Sequence, residues 1–486
     1  MDRKWRALIV VCVAIFMLLL DITVVNVALP DIQRELHTSF TDLQWVVDAY
    51  ALMLATVMLN AGSLGDMLGR KRVFIVGVLL FTAASAACGS ATSPLFLNLA
   101  RGAQGIGGAI MFAVSLAILS QEFYGRERGT AFGIWGATVG AAVAIGPLVG
   151  GALTTWLGWR WIFFVNLPIG VACAVGAFRE LHESRDEEHG GFDLPGFVTL
   201  SGGLFALVLG LLRGNDWGWS SGRELVLFSV AAALLLAFLA VEWRQREPMF
   251  DLSLFRVPTF AGAQITAFVI SSAMFAQFLY LVLYLQNVLG YSAIASGVRF
   301  LPLSVVSFVT APLAGRLSVR VPVRALLGTG LALIGAALLL MHGVTSSSGW
   351  TTLLAGFVVG GVGIGLVNAP LASTAVSVVP PRQAGMASGI NNTFCQVGIA
   401  TGIAGLGAIF QHGIQSQLAG ATPGLARAVA SGATSTQATR AAFIHGLNEI
   451  LLVAAIVAFA GAVLAFALVR REDFVAAGQP VTAAET

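Results

Sequence analysis

Charge is what this sequence has least of. Lys and Arg number 27 and Asp and Glu 24 in 486 residues, so 10% of the chain is charged, against roughly 25% in a soluble domain. A chain of this length folded in water would need far more charge to cover its surface. A soluble enzyme and a disordered chain are excluded. The net charge of +3 is too small to attract a polyanion, so no nucleic acid is expected as a partner. Cysteine is scarce as well. Cys12, Cys88, Cys173 and Cys395 all fall in apolar runs at no metal-ligand spacing, which marks them as packing residues. The histidines (His37, His182, His189, His342, His412 and His445) sit in or beside expected loops, so neither a metal site nor an intramembrane metalloenzyme is expected. No Gly-x4-Gly-Lys-Ser/Thr phosphate loop occurs, which leaves direct ATP coupling without support. What the chain does have is apolar surface: 57% of its residues are hydrophobic and the mean hydropathy is +0.85. These values describe a polytopic, all-α membrane protein.

A spanning helix needs about 20 mainly apolar residues. Fourteen stretches qualify: 7–29, 43–64, 72–91, 95–119, 130–154, 161–179, 194–212, 224–242, 259–286, 294–315, 323–342, 350–372, 385–410 and 443–469. The first is too long for a cleaved signal peptide, holds Asp21, and shows no small-residue cleavage site. Fourteen spans place both termini on one side. The loops of that side hold 19 Lys or Arg and the opposite loops hold seven, Arg213 among them, with Arg101 left inside a span. By the positive-inside rule both termini are cytoplasmic, and a cell-membrane location is expected.

A degenerate repeat organises the spans. Gly62-Ser-Leu-Gly-Asp66-Met-Leu-Gly69-Arg70-Lys71-Arg72 follows span 2, and Ala311-Pro-Leu-Ala-Gly315-Arg316-Leu-Ser-Val-Arg320 follows span 10. Both are small-residue turns running into basic loops. Two six-helix halves would place such copies six helices apart. Here they lie eight apart, so a pair has been inserted, and 194–242 is the natural candidate. The expected organisation is an N-terminal six-helix bundle (1–180), inserted helices 7 and 8 with their linkers (181–258), a C-terminal six-helix bundle (259–472) and a disordered tail (473–486).

With these segments in order, the sequence resembles the major facilitator superfamily, in its fourteen-helix branch of drug:proton antiporters. Gly62–Arg72 is similar to the superfamily's loop between helices 2 and 3, with Met67 in place of the usual Arg. Leu97–Gly108, with Arg101 and Gln104-Gly105, resembles the helix 4 signature. Gly146-Pro147-Leu-Val-Gly150-Gly151 resembles the antiporter signature of helix 5, with Ala142 where its first Gly is usual. Leu20–Pro30, Trp45–Tyr50, Trp159–Pro168 and Gly385–Thr393 extend the likeness along the chain. The resemblance implies transport by alternating access, driven by the proton gradient with no cofactor. Small lipophilic substrates, protons and membrane lipids are the implied partners, and a monomer is expected. It also implies a cytoplasmic gate at Gly62, Asp66, Gly69, Arg70 and Arg72, with Asp66 latching the two halves.

Ionisable residues inside a span are costly and usually mark a pathway or a pair. From the rise of 1.5 Å per residue, Asp21, Asp48 and Arg101 lie roughly 8–12 Å below the outer ends of their helices. They are expected to share one site for proton coupling. Burial favours the neutral acid and a guanidinium favours the carboxylate, so a carboxylate that faces each side in turn can carry a proton between them. A purely structural Asp–Arg pair is the alternative. Asp66 is expected at a helix N-terminus, with Arg70 and Arg72 free to pair with Glu122 or Glu127. Gly146-Pro147 places a helix breaker in span 5, and Gly150-Gly151 allows close approach of a neighbour. Polar and aromatic groups suited to a substrate cavity are Asn26, Tyr50, Gln264, Phe275, Gln277, Phe278, Asn368, Asn391, Asn392 and Gln396, with interhelical hydrogen bonds as the other role for the amides. The function expected is proton-coupled efflux of lipophilic or monocationic drugs or antibiotics. A dedicated exporter of an endogenous metabolite or antibiotic, or a membrane protein that transports nothing, is the alternative.

Overall fold

The computed structural model describes residues 2–37, 40–185, 193–245, 250–318, 320–380, 383–418, 425, 429–430 and 436–474. Most of the expected tail lies outside them. So do the side chains of Asn26, Pro147 and Phe275. Among the described residues there is no strand.

Each expected span is a helix. The first six are α1 (Arg3–Leu36), α2 (Phe40–Leu68), α3 (Arg70–Gly89), α4 (Pro94–Glu122), α5 (Gly125–Leu157) and α6 (Trp161–Glu180, interrupted at Val165). Next come α7 (Leu194–Trp217) and α8 (Gly222–Arg244). The last six are α9 (Pro258–Val288), α10 (Ala293–Leu317), α11 (Val323–Met341), α12 (Leu354–Ser377), α13 (Ala384–Gln417) and α14 (Gln437–Leu468). All but α5 contain a continuous described stretch long and apolar enough to cross a membrane. At 33 residues α5 is itself long enough to cross.

Local chemistry starts several of these helices. Ser93 accepts from Phe96 N with Pro94 behind it, Asp193 from Gly196 N, Ser221 from Glu224 N, Ser292 from Ala295 N, and Thr436 from Thr439 N in a capping box. Each such cap satisfies an otherwise orphaned N–H and contributes about 1 kcal/mol. The expected break at Pro147 does not occur, because α5 is helical from Gly125 to Leu157. Prolines inside membrane helices are tolerated where neighbouring helices pack around the freed carbonyl.

Two apolar cores result. One gathers Leu8, Phe74, Phe81, Met111, Phe123 and Phe132 from the first six helices, and the other Met274, Tyr284, Leu331, Phe357, Phe410 and Phe443 from the last six. The halves meet along two seams, α2 with α13 and α5 with α10. Contacts also show which helix ends share a face. Arg3 Nε donates to Glu180 O at 2.9 Å, Arg70 N to Ser184 O at 2.9 Å, and Thr259 N to Asp473 Oδ2 at 3.0 Å. Across the halves, Gly385 N at the start of α13 donates to Asp66 at the end of α2, so both ends of the described chain lie on one face, called the terminal face below.

The inserted helices α7 and α8 pack against each other, and α7 lies against both α2 and α13. Arg213 is not in a loop, as the loop count had it. Because α7 continues to Trp217, its side chain lies inside the protein at 2% exposure.

Candidate functional site

On α1 and α4, Asp21 and Arg101 are brought together in a fully buried network. Arg101 Nη1 donates to Asp21 Oδ2 at 2.5 Å and to Gln104 Oε1 at 2.7 Å. Gln104 Nε2 donates to Asp21 Oδ1 at 3.0 Å, and Asn166 Nδ2 of α6 to the same oxygen at 3.2 Å. Ser85 of α3 accepts from both amides, at 3.2 Å and 3.0 Å, and donates to Phe163 O at 3.0 Å. Four helices thus supply one hydrogen-bonded cluster around a single carboxylate.

Arg101 is held by more than its counter-charge. Its Nε donates to Val46 O at 2.9 Å, and its guanidinium lies over the Tyr50 ring, 4.3 Å from the centroid. Tyr50 donates in turn to Leu18 O at 3.5 Å. Arg101 therefore keeps acceptors and an aromatic face if Asp21 is neutralised. That matters because an isolated buried charge is expensive.

Asp48 does not join this cluster. Its carboxylate pairs with Arg213 Nη2 of α7 at 3.0 Å, and the Arg213 guanidinium stacks on Trp45, 4.4 Å from the ring centroid. The expected three-charge site is thus two separate pairs, because the inserted helix brings Asp48 a cation of its own.

At the terminal face, Gly69 has φ 105°, a conformation that favours glycine, and it turns the chain from α2 into α3. Just before it, Asp66 Oδ1 accepts from Gly385 N at 3.0 Å and Oδ2 from Met386 N at 2.8 Å, while Arg70 Nε donates to Oδ1 at 2.8 Å. The carboxylate caps the N-terminus of α13, where the helix dipole favours negative charge. It does so across the α2–α13 seam, where a Cβ on Gly62 would collide with the Gly385 carbonyl. On the α5–α10 seam the counterpart of Asp66 is Gly315, packed against the Gly129 backbone. Both seams are therefore closed at this face, one by a charged latch and the other by bare backbone. The basic residues choose other partners than expected: Arg70 takes Asp66, Arg72 takes Glu183 at 3.5 Å, Glu122 takes His182 and Glu127 takes Lys4.

In α5, a Cβ on Gly146 would fall on the Thr23 hydroxyl, one on Gly150 would lie 3.1 Å from Val24 Cα, and one on Gly151 would lie 3.0 Å from Ile294. The first two glycines press α5 against α1 within a turn of Asp21, and the third faces α10. Among the cavity candidates, Tyr50, Gln264, Gln277, Asn391 and Asn392 are buried, and Phe278, Asn368 and Gln396 are half-buried. Asn391 Nδ2 donates to Gln264 Oε1 at 3.1 Å and Gln277 Nε2 to Ile450 O at 2.9 Å. In this closed arrangement these amides serve as hydrogen bonds between helices.

Ser85 is not singled out in the sequence, and Gln104 and Asn166 fall inside the quoted segments Leu97–Gly108 and Trp159–Pro168 with no role of their own. Each is a small polar group in an apolar run, a signal too common to single out. Asp193, Glu224 and Glu242 are not singled out either. They sit at span ends, where acids pass for solvated groups, yet all three are buried.

Comparison with known proteins agrees with this architecture. The family model described as Major Facilitator Superfamily matches residues 11–403. The chain is 37% identical over 427 residues to the multidrug resistance protein Stp of Mycobacterium tuberculosis, covering 87% of this chain and 78% of that protein. It is 37% identical over 409 residues to the tetracenomycin C resistance and export protein of Streptomyces glaucescens, covering 84% and 76%. It is 34% identical over 472 residues to the puromycin resistance protein pur8 of Streptomyces alboniger, covering 96% and 92%. Among solved structures, the human organic anion transporter MFSD10 shares the fold, with a TM-score of 0.62 at 15% identity, over 94% of this chain and all of that one. A helical protein with paired bundles, a latch across one seam and relatives of this kind belongs to the major facilitator superfamily, and is a transporter rather than an enzyme.

Proposed function

We propose that this transporter exports lipophilic or monocationic drugs or antibiotics from the cell in exchange for protons, with Asp21 as the protonation and coupling site. The terminal face is the cytoplasmic one, so the arrangement described above is closed toward the cytoplasm. The observation that carries the reading is the cluster around Asp21: one buried carboxylate accepts from Arg101, Gln104 and Asn166. A proton arriving on Asp21 releases Arg101 to the acceptors it already has, Gln104 Oε1 and Val46 O. That exchange loosens the α1–α4 contact without stranding a charge. Gly146 and Gly150 let α5 slide against α1 beside it. Relatives named for multidrug resistance and for resistance to single antibiotics support a drug-sized organic substrate.

A dedicated exporter is the second reading. It is favoured by relatives named for one compound each, tetracenomycin C and actinorhodin. Inverted vesicles with an imposed pH gradient separate the possibilities. The wild type should accumulate several unrelated lipophilic dyes while the gradient lasts, and Asp21→Asn should accumulate none at equal expression. Unchanged accumulation by Asp21→Asn would overturn the coupling role, and transport of a single compound would favour the dedicated exporter.

A further inference from the structure

At the terminal face the inserted pair carries two buried acids, Asp193 and Glu242, that the transport reading does not use. Asp193 caps α7 at the terminal face, where its Oδ1 accepts from Gly196 N at 2.8 Å and from Gln245 Nε2 at 2.7 Å. Glu242 lies in the last turn of α8, and its Oε2 accepts from Phe250 N at 3.2 Å, in the segment that leads into α9. Each carboxyl thus has one satisfied oxygen. The other two, Asp193 Oδ2 and Glu242 Oε1, are buried and take no hydrogen bond from a donor among the described residues. They point into the same space, since both would touch a single methyl group placed on Gly196. The side chains belong to residues 6% and 3% exposed.

Carboxylate oxygens only accept, so two ionised carboxylates facing each other here would both be unsatisfied and would repel. A proton on one of them converts the encounter into an O–H···O⁻ hydrogen bond, which is a strong one. Among the described residues no cation pairs with either acid. Arg244 is exposed at the end of α8, Asp251 accepts from Ser253 N, Arg256 is exposed on the following turn, and Asp66 is engaged with α13.

We propose that Asp193 and Glu242 hold one proton between them, a proton-binding site distinct from the Asp21–Arg101 network. This shared proton clasps the bases of α7 and α8 together and, through Phe250 N, fixes the start of the segment entering α9. Its loss on the terminal face leaves two bare carboxylates in contact and loosens that base. The site therefore links the hairpin's attachment to the pH on one side of the membrane.

The test is pH-difference infrared spectroscopy of the full-length protein in lipid nanodiscs, which reads protonated carboxyl groups directly. Raising the pH should remove one carboxylic acid band from the wild type. That band should be absent from both Glu242→Gln and Asp193→Asn, in which an amide N–H takes the place of the shared proton and keeps the clasp closed. Since one proton is shared, the double variant should lose no more signal than either single one. Asp21→Asn should retain the band, which separates this site from the transport network. Persistence of the band in both single variants, or a double variant that loses twice the signal, would overturn the proposal.

Discussion

Asp21 and Arg101 depend on each other in a way that exposed ion pairs do not. Both are buried, and each is the other's counter-charge. Removing one partner of a buried pair costs about 3–5 kcal/mol, whereas removing both is often close to neutral. Arg101→Gln should therefore lower the thermal stability of the purified protein markedly, and adding Asp21→Asn should recover more than half of the loss. Equal instability of the single and double variants would mean that the pair does not hold the bundle. The pairing itself was legible in the sequence, because two opposite charges at the same depth in an apolar environment have few other ways to be satisfied. The amides that complete it were not, since Gln104 and Asn166 carry no charge to betray them. A second residue acts outside the spans. At the far end of α1, Glu35 accepts from Arg160 and from Trp159 Nε1, and the bond from Arg160 above all holds its carboxyl below the ordinary value of 4.5. A carboxyl depressed on folding stabilises the protein above that value and loses its contribution as the pH falls through the folded one. Thermal scans should thus show Glu35→Gln less stable than wild type at neutral pH, with the gap closing in acid. A gap that widens in acid would contradict this linkage.

Among the helices, the two seams and the inserted hairpin decide what can move. The Asp66 latch sets two backbone N–H bonds and an arginine on one buried carboxylate, and hydrogen bonds to charged groups contribute about 1.5–3 kcal/mol each. Asp66→Ala should shift the population away from the state closed at the terminal face. Cysteines placed across the α2–α13 seam at that face would then cross-link more slowly than in the Asp66 parent, and an unchanged rate would contradict the latch. The hairpin is tied to α2 by polar contacts, Asp48 with Arg213 and Asn60 Nδ2 to Ser201 Oγ at 2.6 Å. Toward α13 it shares an apolar cluster, Val208 with Ala400, which also takes in Leu52 and Ala55 of α2. Polar ties are directional and apolar faces can slide, so the hairpin should travel with the N-terminal half. A disulfide between cysteines at 60 and 201 should leave transport intact, while one between 208 and 400 should stop it. The helices were legible from hydropathy and loop charge. The Asp48–Arg213 tie was not, because ending span 7 at residue 212 turned a buried cation into a loop residue. The same edge effect hid Asp193 and Glu242, for a hydropathy window cannot tell an acid in water at a helix end from one enclosed between two helices.

For the molecule as a whole, scarcity of charge has a structural meaning. Few charges remain once topology is served, and several of those enclosed by the protein fall at its joints: Asp21 with Arg101 inside the first half, Asp66 across a seam, Asp48 with Arg213 at the inserted helix. The paired-bundle plan was legible from a degenerate repeat displaced by two helices, since each half must close its own apolar core. The tight backbone contact of Gly129 with Gly315 was beyond reach, because 56 glycines produce small-residue spacings everywhere. The most direct test of proton-coupled export through Asp21 records internal pH and substrate flux together in proteoliposomes of purified protein. An outward substrate gradient should drive protons inward in the wild type, and Asp21→Asn should still bind substrate but move no protons. Proton influx of wild-type size in Asp21→Asn, or substrate flux with no proton movement in the wild type, would contradict coupling through Asp21.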